Sequence, residues 1–220
     1  MSSHSHTPST ESVVALLGML AYGELVAFDR MAADARLAPD LSRRARLAAM
    51  AGVEIQNYDR LAARIKELGT DPESAMRPFV EAVTAFHDST APRDYLEGLV
   101  KAYVGDGIAD DFFREVAVLL APADRDLVLE VLHNADNAEF AVSEITAALE
   151  ADPAMTGRLA LWARRLTGEA LSQAQRVAAD HDSLTMLIIE GTGDLAKVGE
   201  LIKRLMQAHS DRMTRVGLST

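Results

Sequence analysis

Apolar residues recur along most of this chain at intervals of three and four positions, the spacing that places them on one face of an α-helix. No convincing stretch shows the strict apolar and polar alternation that indicates a half-buried β-strand. The pattern therefore predicts an all-α protein. Six helices are expected, over about Thr10–Ala38, Leu41–Leu68, Asp94–Leu120, Arg125–Glu150, Pro153–Ala179 and Asp194–Val216.

The lengths of the connections predict how the first four helices are arranged. Short turns at Pro39-Asp40 and at Ala121–Asp124 make the first and second helices, and the third and fourth, antiparallel neighbours. The one long connection, Gly69–Arg93, lies between the second and third helices and contains an amphipathic piece around Met76–Phe86. We therefore expect a four-helix bundle with a long crossover and two additional C-terminal helices. A disordered polar tail over residues 1–10 and a single domain over residues 11–220 complete the prediction.

Charge and composition narrow the function classes. The chain has 22 basic and 33 acidic residues among 220, for a net charge of -11, which argues against general nucleic-acid binding. There is no cysteine, which excludes disulfides, thiolate metal sites and a cysteine nucleophile. The polar N-terminus does not resemble a signal peptide, and no stretch approaches the ~20 uncharged apolar residues of a membrane span. The sequence therefore predicts a cytoplasmic protein that does not interact with a membrane.

Three carboxylates fall on the apolar stripes of the predicted helices. Glu24 lies seven residues after Leu17, and Glu54 lies four after Met50. Asp106 lies seven residues after Leu99 on the third helix. Buried carboxylates are costly unless they are paired, protonated or densely hydrogen-bonded. Since all three fall near the middle of their helices, we interpret them as parts of one polar site.

The stretches Ala21–Phe28, Gly52–Leu61 and Gly98–Phe112 resemble the ferritin-like diiron carboxylate proteins, and within them the branch similar to the tRNA isopentenyl-adenosine hydroxylases. A further stretch, Leu159–Arg176, resembles actinobacterial ferritin-like proteins of unassigned activity. The resemblance covers roughly residues 12–216. It implies a ferritin-like four-helix bundle.

For the site, the resemblance implies a carboxylate from each of two helices and a Glu-x-x-His from each of the other two. Transferred by position, the remnant metal ligands are Glu24, Glu54 and Asp106, and amides replace the remaining ligands at Asn57, Asn134 and Asn137. In this register Asn57 and Asn137 occupy both histidine positions. A register one turn earlier on the fourth helix would instead use Glu130 and His133.

The amides change what the site can hold. An amide oxygen is a harder and weaker iron ligand than imidazole, whereas the amide NH2 can donate to the carboxylates in place of a cation. We therefore expect no bound cofactor and a non-catalytic binding or scaffold protein with a degenerate diiron site. The alternative is a non-haem diiron monooxygenase with two iron ions, and tRNA is a candidate partner only in that case. A magnesium or calcium ion is a third, weaker alternative.

The oligomeric state is expected to be a homodimer. Only 5% of the residues are aromatic, so six long helices are expected to leave an apolar stripe uncovered. Paired bundles are common among the proteins that the chain resembles, and twofold symmetry is the commonest closed arrangement.

Overall fold

The computed structural model describes residues 8–132, 135–192 and 195–218. Within these residues the chain is helical and contains no β-strand, which confirms the all-α prediction. The α-helices are α1 Thr10–Asp34, α2 Leu41–Glu67, α3 Pro72–Met76, α4 Val80–Ser89, α5 Tyr95–Val100, α6 Gly107–Ala117, α7 Pro122–Val131, α8 Ala135–Ala151, α9 Met155–Asp180, α10 Asp182–Thr192 and α11 Leu195–Arg215.

Local capping explains where the helices begin and end. The side chain of Asp40 accepts a hydrogen bond from the backbone N–H of Arg43 at 2.8 Å, and this caps α2. Gly69 follows α2 with φ of 83°, a left-handed conformation that favours glycine. Ser9 caps α1 in the same way, so the helix begins at the end of the predicted polar tail. The rest of that tail, residues 1–7, lies outside the described residues.

The first two long helices form the antiparallel hairpin that was predicted, and α3 and α4 occupy the crossover. The third predicted helix is continuous from Tyr95 to Ala117, but its middle, Lys101–Asp106, is a π-helical segment. A π turn holds more residues than an α turn, so it shifts the faces of α5 and α6 relative to each other.

Two sequence predictions for the helices are wrong. The expected helix over about Arg125–Glu150 is divided into α7 and α8, because Leu132 is extended (φ −65°, ψ 147°) and buries its side chain. The region after α9, expected to be a connection, contains α10, which buries Leu184 and Leu187. Its apolar run is short, and periodicity does not identify such runs well.

The buried apolar residues of the described part of the chain form two cores. The first core lies towards the start of α1 and the end of α2, and the second lies towards the end of α1 and the start of α2. Members of the first core include Leu17, Leu61, Phe79, Phe113 and Val128. Members of the second core include Met31, Met50, Leu99, Trp162 and Leu166.

Between the two cores, the helices carry polar residues at middle height. We call these residues the polar layer: Glu24 on α1, Glu54 and Asn57 on α2, Asp106 at the end of the π segment and Asp110 on α6. The layer interrupts the apolar packing along three consecutive long helical segments. A functional site is therefore expected at this level of the bundle.

The segment Thr10–Leu37, which comprises α1 and the turn after it, is long and apolar enough to span a membrane by length and composition, with a mean hydropathy of 1.6. The sequence analysis did not anticipate such a segment. Half of its most apolar window is buried within the structure, and the core helix of a bundle satisfies the same criteria. The observation is weak evidence for a membrane span.

Candidate functional site

The three carboxylates singled out from the sequence line one cavity. Glu24 is 4% exposed and Glu54 is 1% exposed, whereas Asp106 is half-buried. The cavity has a volume of about 310 Å³, which is at the small end of the range for ligand sites. It lies at the level of the polar layer, and we call it the large cavity.

Apolar side chains form most of the wall of the large cavity. They come from the bundle and from the helices that follow it, and include Leu20, Phe86, Phe113, Val177 and Ile188. Ala109 on α6 and Leu171 on α9 also line the cavity and are exposed to solvent. The wall of the large cavity therefore includes residues that reach the surface of the protein.

Gly23 on α1 lines the large cavity beside Glu24. Apart from its own helical turn and its two neighbours in the chain, a Cβ atom at this position would have no heavy atom within 4 Å. The absent side chain therefore contributes to the empty space. A glycine in the middle of a helix is otherwise unfavourable, by about 1 kcal/mol relative to alanine.

Asn57, which occupies a histidine position of the resemblance, lies behind Glu24. Its Nδ2 atom donates to Glu24 Oε2 at 3.2 Å and to the carbonyl oxygen of Val131 at 2.8 Å. Val131 ends α7, so this carbonyl is one of those that a helix leaves without a partner from its own turns. The same amide thus bonds a carboxylate and the end of a divided helix.

The structure does not bring Asn137 to the large cavity. Asn137 is buried in the first turn of α8, where its Oδ1 atom accepts from Arg46 Nη2 at 3.2 Å, and it does not line the cavity. Asn134 and His133 lie outside the described residues. Of the three amides expected at the site, only Asn57 on α2 therefore lies beside one of the carboxylates.

Asp110 is a site residue that the sequence analysis did not include. It is 8% exposed and lines the large cavity together with Glu24, Glu54 and Asp106. Its position three residues before the buried Phe113 was the available signal. The adjacent Asp111 forms an ion pair with Arg212 at 2.6 Å on another side of α6.

His87 on α4 is a second residue that the sequence did not single out. It is 8% exposed and lines the large cavity, and its Nδ1 atom has no hydrogen-bond partner within the described chain. Burial, together with the positive charges of Lys101 and Arg30, lowers the pKa of His87 to about 3. The imidazole is therefore neutral near pH 7.

Beyond His87 and Asp106 lies a small cavity of about 30 Å³, which has room for about one water molecule. Lys101 lines it and donates from Nζ to the carbonyl oxygen of Thr90 at 2.9 Å. Burial lowers the pKa of Lys101 below its ordinary value, and the negative charges of Asp106 and Asp34 offset only part of this decrease.

The acidic residues of the polar layer are not arranged as a compact metal site. Within residues 8–132, 135–192 and 195–218, no group of three or more His, Cys, Asp or Glu side chains is placed so that it could hold a metal ion. The four carboxylates of the large cavity thus share its wall without meeting at one point.

Comparison with known proteins identifies the fold family. A family model described as a ferritin-like domain of actinomycetes matches residues 8–191, which extends from the start of α1 into α10. No curated protein matches the chain.

Proposed function

Because the chain belongs to the ferritin-like domain family of actinomycetes, we propose that it is a non-catalytic binding protein with a degenerate diiron site. It holds a small apolar ligand at the level of the bundle where related diiron proteins hold metal. The observation that carries this proposal is the large cavity, whose walls are mostly apolar and whose volume of about 310 Å³ suits a small molecule.

The donor set argues against two irons at this level. A diiron centre of this fold needs imidazole nitrogens beside its carboxylates, and Asn57 instead points an NH2 donor at Glu24. The lone pair of an amide nitrogen is delocalised into its carbonyl group, so this nitrogen is not a metal ligand. Asn137, at the other histidine position, accepts from Arg46. The residues at these two positions therefore do not supply the imidazole ligands of a diiron centre.

The competing hypothesis is a non-haem diiron monooxygenase similar to the tRNA hydroxylases. One observation favours it, since Glu24, Glu54 and Asp106 line the same cavity. Iron binding would be required, and tRNA would be a candidate partner only under this hypothesis. The net charge of -11 gives no general affinity for nucleic acid.

Binding of a neutral fluorescent probe tests the proposed function. We expect prodan, a small uncharged naphthalene dye, to enter the large cavity and to shift its emission to the blue. A Gly23→Leu variant fills the space beside Glu24, where a Cβ has no neighbour within 4 Å, and is expected to weaken probe binding at least tenfold.

Gly52 provides the matched control. It lies within α2, and an added Cβ there would also meet no atom within 4 Å beyond its own helical turn and chain neighbours, but Gly52 does not line the cavity. The Gly52→Leu variant should therefore bind prodan like the unchanged protein. Equal probe binding by both leucine variants would contradict a ligand site in the large cavity.

A further inference from the structure

Among the residues that the structure describes, the formally charged ones that line the large cavity are acidic. Glu24, Glu54, Asp106 and Asp110 approach it from α1, α2, the π segment and α6. Its lining, within the part of the chain that the structure describes, includes no lysine or arginine. The polar part of the wall thus favours a positive charge inside an otherwise apolar space.

The neutral polar groups of the wall also add acceptors. His87 is uncharged near pH 7 because its pKa is lowered, and a neutral imidazole has one ring nitrogen that accepts. Gln173 on α9 lines the cavity, and its Oε1 atom is buried without a hydrogen-bond partner among the described residues. A ligand with several donors would complement such a wall better than one with several acceptors.

Two basic residues of the neighbouring small cavity, Lys101 and Arg30, have partners there. Lys101 Nζ donates to Thr90 at 2.9 Å, and Arg30 forms an ion pair with Asp88 at 2.7 Å. Both line the small cavity on the other side of His87 and Asp106. Lys101 offsets part of the charge of Asp106 from there, whereas Glu24, Glu54 and Asp110 line the large cavity and not the small one.

We propose that the large cavity binds an apolar amine, with the hydrocarbon part among Leu20, Phe113 and Val177 and the ammonium group facing Glu24, Glu54 and Asp110. An ammonium group has three hydrogen-bond donors and a positive charge, so it complements a wall of acceptors and carboxylates. This inference rests on the proposed function, because it names the class of ligand for the same cavity.

The test compares three ligands of one chain length: octylamine, 1-octanol and octanoate. Each is titrated into the full-length protein at pH 7, and binding is measured by calorimetry and by displacement of prodan. We expect octylamine to bind at least tenfold more tightly than 1-octanol and octanoate to bind most weakly. Equal binding of octylamine and 1-octanol, or tighter binding of octanoate, would overturn the inference.

Substitutions of the cavity carboxylates test whether these residues cause the preference for octylamine. The double variant Glu54→Gln and Asp110→Asn keeps the shape of the wall but removes two negative charges, and it should reduce the preference for octylamine to less than threefold while 1-octanol binds as before. Glu81→Gln is the control, because Glu81 is exposed on α4 and does not line the cavity. A preference that the double variant keeps in full would contradict the role of these carboxylates.

The two proposals fail in different ways. Suppose that Gly23→Leu removes prodan binding but the three octyl ligands bind equally. The large cavity would then remain a ligand site, and only the proposal that its ligand is an amine would be overturned. Prodan and octyl ligands that bind equally to the Gly23→Leu and Gly52→Leu variants would overturn both. The ligand comparison uses the unchanged protein, so it stands even if the double variant does not fold.

Discussion

Asn57 donates a hydrogen bond to Glu24 across the α1/α2 hairpin, from Nδ2 to Oε2 at 3.2 Å, and the same nitrogen donates to the carbonyl oxygen of Val131 at 2.8 Å. One buried amide therefore connects three helices. It partners a carboxylate from α1 and the last carbonyl of α7. A histidine at this position that ligated a metal could not make both contacts.

We expect Asn57→Ala to destabilise the fold by about 2 kcal/mol, because it removes both hydrogen bonds from buried acceptors. The free energy of unfolding from urea denaturation measures the effect. Gln56→Ala, at the neighbouring and exposed position on α2, should change it by less than about 0.5 kcal/mol. Equal effects of the two substitutions would show that the Asn57 contacts contribute nothing specific.

Stability is expected to decrease with pH below 6.5 in part because of His87. The pKa of this group falls from 6.5 when unfolded to about 3 when folded, mainly through burial, so the unfolded chain binds the proton more readily in this range. The contribution of His87 is therefore complete above pH 6.5 and decreases by about 1.4 kcal/mol for each pH unit below it, down to about pH 3.

The His87→Gln variant isolates this contribution. The free energy of unfolding is measured between pH 7 and pH 4 for both proteins, and carboxylates elsewhere in the chain contribute to both curves alike. We expect a shallower decrease in the variant. Parallel curves would contradict the buried, neutral state of His87.

Two glycines of α1 are expected to respond to alanine in opposite directions. At Gly23 an added Cβ meets only the space of the large cavity, so Gly23→Ala should stabilise the protein by up to about 1 kcal/mol through helix propensity. At Gly18 it would lie 2.7 Å from the backbone carbonyl carbon of Ala75 on α3. Gly18→Ala should therefore destabilise it by about 1–3 kcal/mol. Thermal denaturation of the two variants measures both changes, and effects of the same sign would contradict this assignment.

We expect the purified protein to contain well under one iron per chain, because the amide groups replace the imidazole ligands. Elemental analysis after growth in iron-supplemented medium measures it. The comparison is the Asn57→His variant, which places an imidazole beside Glu24 and should retain more iron than the parent. A parent with two tightly bound irons would support the diiron monooxygenase instead.

A homodimer is the expected state in solution. Ile202 and Met206 lie four residues apart on α11, and each is about half exposed, so one face of this helix presents apolar surface. Light scattering at micromolar concentration should give twice the mass of the chain, and Ile202→Glu should reduce it. A monomer mass for the unchanged protein would contradict the prediction.

The sequence was sufficient where the fold depends on local signals. Asp40 and Gly69 mark the ends of α2 at the positions where the structure has them, and long periodic stripes define α1 and α2. The division between α7 and α8 was not predictable in this way. It involves a hydrogen bond from Asn57 to the carbonyl oxygen of Val131, and these two residues are 74 positions apart along the chain.

The residues of the site were predictable only where a regular helical pattern indicates burial. Glu24 and Glu54 are unusual on apolar stripes, so their burial could be expected from the pattern. The π segment shifts the helical phase between Leu99 and Asp110, so only the spacing from Asp110 to Phe113 indicated that Asp110 is buried. The large cavity does not produce a recognisable sequence pattern. Small residues such as Gly23 and Ala27 can face either a packed neighbour or an empty space, and the sequence does not distinguish the two cases.

The polar layer has a consequence for how the bundle holds together. Apolar packing ends on each side of it, so the first and second cores are joined mainly by the helices that run through both. Such cores behave as partly independent cooperative units, whose amides exchange with solvent through separate opening events. A ligand in the large cavity contacts Phe113 of the first core and Phe86, which packs against the second. Occupancy would therefore merge the two units into one, and slower hydrogen exchange would spread from the cavity into both ends of the bundle.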